Sequence, residues 1–218
     1  MKWSESTWQK TQPIYNKILE LPFLQSLAEG SLAIEKFQFY IKQDSIYLEH
    51  FGRVLAMIGA KSNHIDHALT YMRFAENAIV VENALHESFF IDYNIQEKGL
   101  IQPICHHYVH YLKSLAGFEA VEIATAATLP CFWIYMKVGQ HIVKHTKLEN
   151  NPYEKWINSY ANEDFEKGVQ QALSICDTIA EETTEDIRNK MTEAFLMAAH
   201  FEHEFWRAAD DTIIWKQY

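Results

Sequence analysis

The chain has 218 residues, 48% of them hydrophobic and 22% charged, an ordinary balance for one soluble globular domain and too apolar for a disordered chain. A formal net charge of −10 repels phosphate backbones and argues against a nucleic-acid partner. Only 7 Gly and 5 Pro interrupt the chain, about half the usual share, so a few long elements are expected. No segment alternates with a period of two, and the expected class is all-α.

The first predicted helix covers about residues 4–20, with Pro13 inside it as a kink. Leu21, Pro22 and Phe23 break it, and Gly30 ends the short stretch that follows. A long helix spans about 34–60, stopped near Gly59 and the polar Lys61, Ser62 and Asn63; the next spans about 65–90. Gly99 and Pro103 punctuate the join to a helix over about 104–115. After Gly117 an apolar-periodic helix covers about 118–147 and contains Pro130. Asn150, Asn151 and Pro152 make a turn, and two helices follow at about 153–160 and 164–181. The last starts at Thr183 or Thr184, where a hydroxyl can cap the first N–H groups and Glu185 and Asp186 suit the helix dipole, and it reaches about 209.

No repeat or linker marks a boundary, so a single domain over 1–218 is expected. The N-terminal segment lacks the apolar core of a signal peptide, and nowhere do 18 uncharged apolar residues run together. Cys105, Cys131 and Cys176 have no paired spacing. A cytoplasmic protein with free thiols and no membrane partner is the expectation.

Aromatic residues make up 14% of the chain, enough for a large core and for a pocket that recognises a flat ligand. The informative residues are polar ones on apolar helix faces. Asp44 falls among Phe37, Tyr40, Tyr47, Phe51, Val54 and Ile58. Glu202 falls among Ile187, Met191, Phe195, Ala198 and Phe205. Cys131 falls among Val121, Ala124, Tyr135, Val138 and Ile142. A carboxylate on such a face costs several kcal/mol unless it is paired, hydrogen-bonded or protonated. Two carboxylates and a thiol on three helices are therefore the makings of a buried polar site.

Each has a plainer reading. Asp44 can bond a Tyr hydroxyl or a neighbouring helix, Glu202 has Arg53 and Arg73 as candidate partners, and a buried Cys is often an inert small hydrophobe. Pro130 favours a role for Cys131, because it frees the carbonyl of Ala126 and exposes backbone dipoles one residue before the thiol. Cys105 and Cys176 lack such a context and are read as inert. No Glu-x-x-His pair or HExxH motif occurs, and His106, His107 and His110 read as a solvated face, so no metal is expected. The first His in the chain is His50, so the first helix offers no axial ligand for haem.

With these residues assembled, the sequence resembles the TenA family, also called thiaminase II or aminopyrimidine aminohydrolase. The similarity rests on LPFLQSLAEGSLAIEKFQFYIKQDSIYLEHF at 21–51, with its PF, its GSL and its QD-x-x-YL, and on LPCFWIY at 129–135, WINSY at 156–160 and FEHEFW at 201–206. The resemblance implies a haem-oxygenase-like helical bundle without haem or other cofactor, assembled as a homotetramer. It implies that Cys131 is the catalytic thiol, that Glu202 addresses a ring nitrogen of an aminopyrimidine, and that Asp44 binds its 4-amino group. Tyr47 and Phe205 would sandwich the ring, with Tyr108, Tyr135 and Tyr160 supplying hydroxyls. The implied reaction is hydrolysis of 4-amino-5-aminomethyl-2-methylpyrimidine, or of thiamin, to the hydroxymethylpyrimidine, in thiamin salvage. The alternative is a non-catalytic thiamin-binding or regulatory module, which could dispense with Cys131 and Glu202. Phe201 and Phe132 stand where the family often has Tyr, and the first of these removes a hydroxyl that would support Glu202.

Overall fold

A computed structural model describes residues 1–216, and of residues 81–83, 85 and 86 the backbone alone. The expectation of one domain over 1–218 thus includes two residues, 217 and 218, outside the described ones. Nine helices and no strand are found among the described residues: α1 (Trp3–Leu19), α2 (Pro22–Glu29), α3 (Ile34–Lys61), α4 (Ile65–Asp92), α5 (Pro103–Phe118), α6 (Val121–His145), α7 (Glu154–Ala161), α8 (Glu163–Glu182) and α9 (Glu185–Asp210). None of them is long and apolar enough to cross a membrane.

The local chemistry explains most boundaries. Pro22 and Pro103 sit in the first turns of α2 and α5, where the N–H they lack has no intrahelical partner anyway. Asn162 caps α8 by accepting from the Phe165 N–H at 2.9 Å, and Thr184, rather than Thr183, caps α9 by accepting from Ile187 N–H at 3.4 Å. The turn at Asn150 to Pro152 also closes α2: Asn151 Nδ2 donates to the carbonyls of Leu27 at 3.0 Å and Ala28 at 2.9 Å. Helix α1 runs through Pro13, whose exposed position leaves the freed carbonyl to water.

One break lies elsewhere than the sequence suggests. Gly117 and Phe118 belong to α5, and the chain leaves the helix at Glu119. Lys61 holds that corner from the end of α3, its Nζ donating to the carbonyls of Ala116 at 2.9 Å and Glu119 at 3.0 Å.

Helix α6 runs through the middle of the molecule, packed chiefly on α9 and also on α7, α8, α5 and α3, while α3 pairs along its length with α4. Gly139 sets the approach of α7 to α6. A Cβ there would stand 3.0 Å from the carbonyl carbon of Tyr160 and 3.2 Å from the Ala161 nitrogen. Gly139→Ala should therefore push α7 outward and lower stability by about 1–3 kcal/mol, read from urea denaturation. A second tie anchors α1: the buried Asp177 of α8 accepts from the Ser4 N–H at 2.8 Å and the Ser4 hydroxyl at 2.9 Å. Asp177→Ala strands those two donors, and an expected loss of about 1–3 kcal/mol is measurable in the same titration.

Candidate active site

A cavity of about 450 Å³ opens between α3, α4, α6, α7 and α8, a size suited to a small organic ligand. Asp44, Leu48 and Phe51 of α3, Phe74 of α4, and Cys131, Phe132 and Tyr135 of α6 contribute to its wall, with Tyr160 of α7 and Phe165 of α8 opposite. Four of the eight residues singled out from the sequence, Asp44, Cys131, Tyr135 and Tyr160, thus line one cavity.

Tyr47, Tyr108, Glu202 and Phe205 form a second layer, joined to the wall by ring packing. Tyr47 stacks on Phe51 with centroids 5.3 Å apart and planes 20° apart, and lies 4.9 Å from the Tyr108 ring. Tyr108 places its hydroxyl 2.7 Å from Glu202 Oε1 and donates to it. Tyr47 and Phe205 meet edge to face, 5.9 Å apart at 65°. As they stand, they admit no ring between them, since a sandwich needs parallel faces roughly 7 Å apart, twice the 3.5 Å contact distance. A ligand held by both would require one of them to turn.

Glu202 is 2% exposed. Its partner is a phenol, not an arginine, and Arg53 and Arg73 are both exposed. Burial pushes its carboxyl up to about 8; the charge of Asp44 adds to the rise, and the Tyr108 hydrogen bond opposes it. At neutral pH Glu202 is therefore a neutral acid with a proton to give. Phe201, where a supporting hydroxyl was missed, instead stacks on Tyr108 at 5.1 Å and 11°, which holds that phenol toward the carboxyl.

Around this acid the phenols stay protonated. Burial raises Tyr40, Tyr47, Tyr108 and Tyr135 well above the ordinary tyrosine value, so all four hydroxyls stay neutral. Ionisation of either Cys131 or Glu202 would raise Tyr47 and Tyr108 further. The Tyr47 hydroxyl is buried without a hydrogen-bond partner of good geometry.

Tyr40, a core residue behind the cavity wall, touches the wall through Tyr135. It is fully buried, and its hydroxyl meets that of Tyr135 at 3.2 Å. The sequence signal of that contact was its position four residues before Asp44, on the same helix face. Phe51, Phe74, Phe132 and Phe165 carry no comparable signal, since a cavity wall and a packed core use the same rings. Cys105 and Cys176 are buried with thiols pushed far up by desolvation, as expected of inert cysteines. His106, His107 and His110 cluster with Trp215 away from the cavity, and no group of metal-ligating residues occurs among the described residues.

The model of the TENA/THI-4/PQQC family matches residues 8–212. The chain belongs to this family. An aminopyrimidine aminohydrolase of Bacillus subtilis (strain 168) is 30% identical over 214 residues, covering 96% of this chain and 90% of that protein. The thiamine biosynthesis multifunctional protein ThiED of Corynebacterium efficiens is 27% identical over 95% of this chain, which spans 28% of its length. A TenA homologue from Pyrococcus furiosus superposes with a TM-score of 0.90 at 23% identity, over 95% of this chain and 99% of that one. The bundle is the all-helical haem-oxygenase-like fold of TenA homologues.

Proposed function

We propose that this member of the TENA/THI-4/PQQC family is an aminopyrimidine aminohydrolase, a hydrolase of C–N bonds that converts 4-amino-5-aminomethyl-2-methylpyrimidine, and thiamin, to the hydroxymethylpyrimidine. The names of its relatives support the enzyme class and the link to thiamin biosynthesis. The observation that carries the reading is a cavity-lining thiol with, in the layer behind the wall, a buried carboxyl that is protonated at neutral pH.

Glu202 donates its proton to a ring nitrogen and makes the pyrimidine electrophilic. The Cys131 thiolate adds to the adjacent ring carbon, forming a C–S bond. Electrons returned from the ring break the exocyclic C–N bond, and the amine departs with a proton; from thiamin the thiazole departs instead. Water adds to the exposed methylene and gives up a proton. The C–S bond then breaks, the thiolate leaves, the ring nitrogen returns its proton to Glu202 and the ring regains its aromaticity. Asp44, buried at this centre, accepts from the 4-amino group, and Tyr135 and Tyr160 supply hydroxyls at the cavity wall.

The physiological role is salvage of degraded thiamin. The exposed Ile65, Leu69, Met72 and Val80 along α4 offer an apolar surface for a homotetramer. The test is incubation of the purified protein with each substrate, following the hydroxymethylpyrimidine by chromatography. Turnover of either supports the reading; binding of both without product would leave the non-catalytic module.

A further inference from the structure

Three segments meet at Gln43, a side chain of α3 that the proposed chemistry does not use. It lies one residue before Asp44 and is 5% exposed. Its Nε2 donates to the Leu100 carbonyl at 3.0 Å, and its Oε1 accepts from the Gln102 N–H at 2.7 Å. One amide thus answers an acceptor and a donor two residues apart on the chain that enters α5. The backbone carbonyl of Gln43 accepts from the Cys105 thiol at 3.4 Å, which ties the first turn of α5 to the same residue.

The segment after α9 joins them. Trp215 donates its backbone N–H to Gln102 Oε1 at 3.0 Å and its indole N–H to the Ile101 carbonyl at 2.8 Å. Two residues earlier, the Ile213 N–H returns to the Ala208 carbonyl of α9 at 2.9 Å. The end of α9 and the start of α5 are therefore joined at Gln102, and the start of α5 is joined to α3 at Gln43. The far end of α5 is held by α3 as well, through Lys61 on the Ala116 carbonyl.

The two helices fixed in this way carry the two members of one hydrogen bond. Tyr108 of α5 is 1% exposed and donates to Oε1 of Glu202, on α9, at 2.7 Å. A displacement of about 0.5 Å at α5 would carry that bond beyond the ordinary range of roughly 2.5–3.0 Å for a hydroxyl donor. We infer that Gln43 is a positioning residue for the acid: with Trp215, it fixes the start of α5 and so sets Tyr108 against Glu202. The inference rests on the proposed role of Glu202 as proton donor and names what holds its partner in place. The Tyr108 bond stabilises the carboxylate and opposes the effect of burial, so loosening it should make Glu202 a weaker acid. The other groups around Glu202 are Asp44, Tyr40 and Tyr47 of α3 and Tyr135 of α6, with Cys131 of α6 reaching Tyr47 and Tyr108. Gln43 and Trp215 carry no charge, so a neutral substitution at either leaves that set of charges as it is.

The experiment uses Gln43→Met, which is neutral, similar in length and unable to bond the Leu100 carbonyl and the Gln102 N–H. Its companion is Trp215→Phe, which removes the indole N–H at a position 45% exposed. The Glu202 carboxyl is titrated by infrared difference spectroscopy, its band assigned by its loss in Glu202→Gln, and kcat for the aminomethylpyrimidine is followed over the same pH range. In Gln43→Met both midpoints should move up by about half a pH unit or more, and in Trp215→Phe they should move the same way by less. In a Tyr108→Phe background neither substitution should move them further. A folded Gln43→Met with wild-type midpoints overturns the inference and leaves Gln43 a structural tie. Should that variant not fold, unmoved midpoints in Trp215→Phe overturn it. A shift that persists in the Tyr108→Phe background also overturns it, since the effect would then bypass Tyr108. A wild type that turns over neither substrate overturns the hydrolase reading, while the infrared titration still decides the role of Gln43.

Discussion

Replacing Cys131 by Ser should lower kcat/KM for the aminomethylpyrimidine at least a hundredfold, about 2.7 kcal/mol of transition-state stabilisation. The change is nearly isosteric, and Cys131 is only partly buried at the cavity wall, so packing should survive it. What is lost is a nucleophile that ionises, since a serine hydroxyl is a far weaker acid and a poorer nucleophile than a thiol. The loss should therefore appear in kcat with KM changed by less than about threefold. A variant that keeps more than a tenth of the activity would mean that the thiol does not add to the ring.

Glu202→Gln should cost about as much in rate, on the order of 10²–10³, because the amide occupies the same place without a proton to donate. Its pH behaviour gives the sharper test. The acid form of Glu202 persists up to about pH 8, so wild-type kcat should decline above that pH and the variant should lack this decline. Stability should fall with rising pH as well. The folded carboxyl titrates near 8 against 4.5 for the ordinary side chain, so the folded state holds a proton that the unfolded state releases. Stability from this group is present in full below pH 4.5 and falls as pH rises through about 8, by about 1.4 kcal/mol for each unit of difference. Glutamine does not titrate and can still accept from Tyr108. The variant should thus melt higher than the wild type at pH 9 while being nearly inactive. Equal or lower melting at that pH would show that Glu202 is not a strained acid in the folded protein.

Much of this architecture was legible in the chain because its punctuation is local. Pro22, Pro103, the turn at Asn150 to Pro152 and the cap at Thr184 act within a few residues of where they stand, and the helices begin and end close to them. The corner at Glu119 was not legible, because the group that fixes it, the Lys61 ammonium, comes from another helix. The same distinction divides the site. Asp44, Cys131 and Glu202 announced themselves as polar groups on apolar faces, and the cavity and the buried carboxyl give that anomaly a use. The aromatic residues could not be sorted that way. Tyr40 against Tyr135 and the crossed rings of Tyr47 and Phe205 depend on how α3, α6 and α9 approach one another. Periodicity along one helix carries no such information.

Hydrolysis of the exocyclic C–N bond leaves the oxygen of water on the methylene of the product. Turnover of the aminomethylpyrimidine in water labelled with ¹⁸O, read by mass spectrometry of the pyrimidine product, is the direct measurement. One labelled oxygen on the exocyclic methylene, with the 4-amino group intact, is the expected result of C–N hydrolysis at that carbon. Label on the ring with loss of the 4-amino group would mean ring deamination, and would contradict the roles given to Cys131, Glu202 and Asp44.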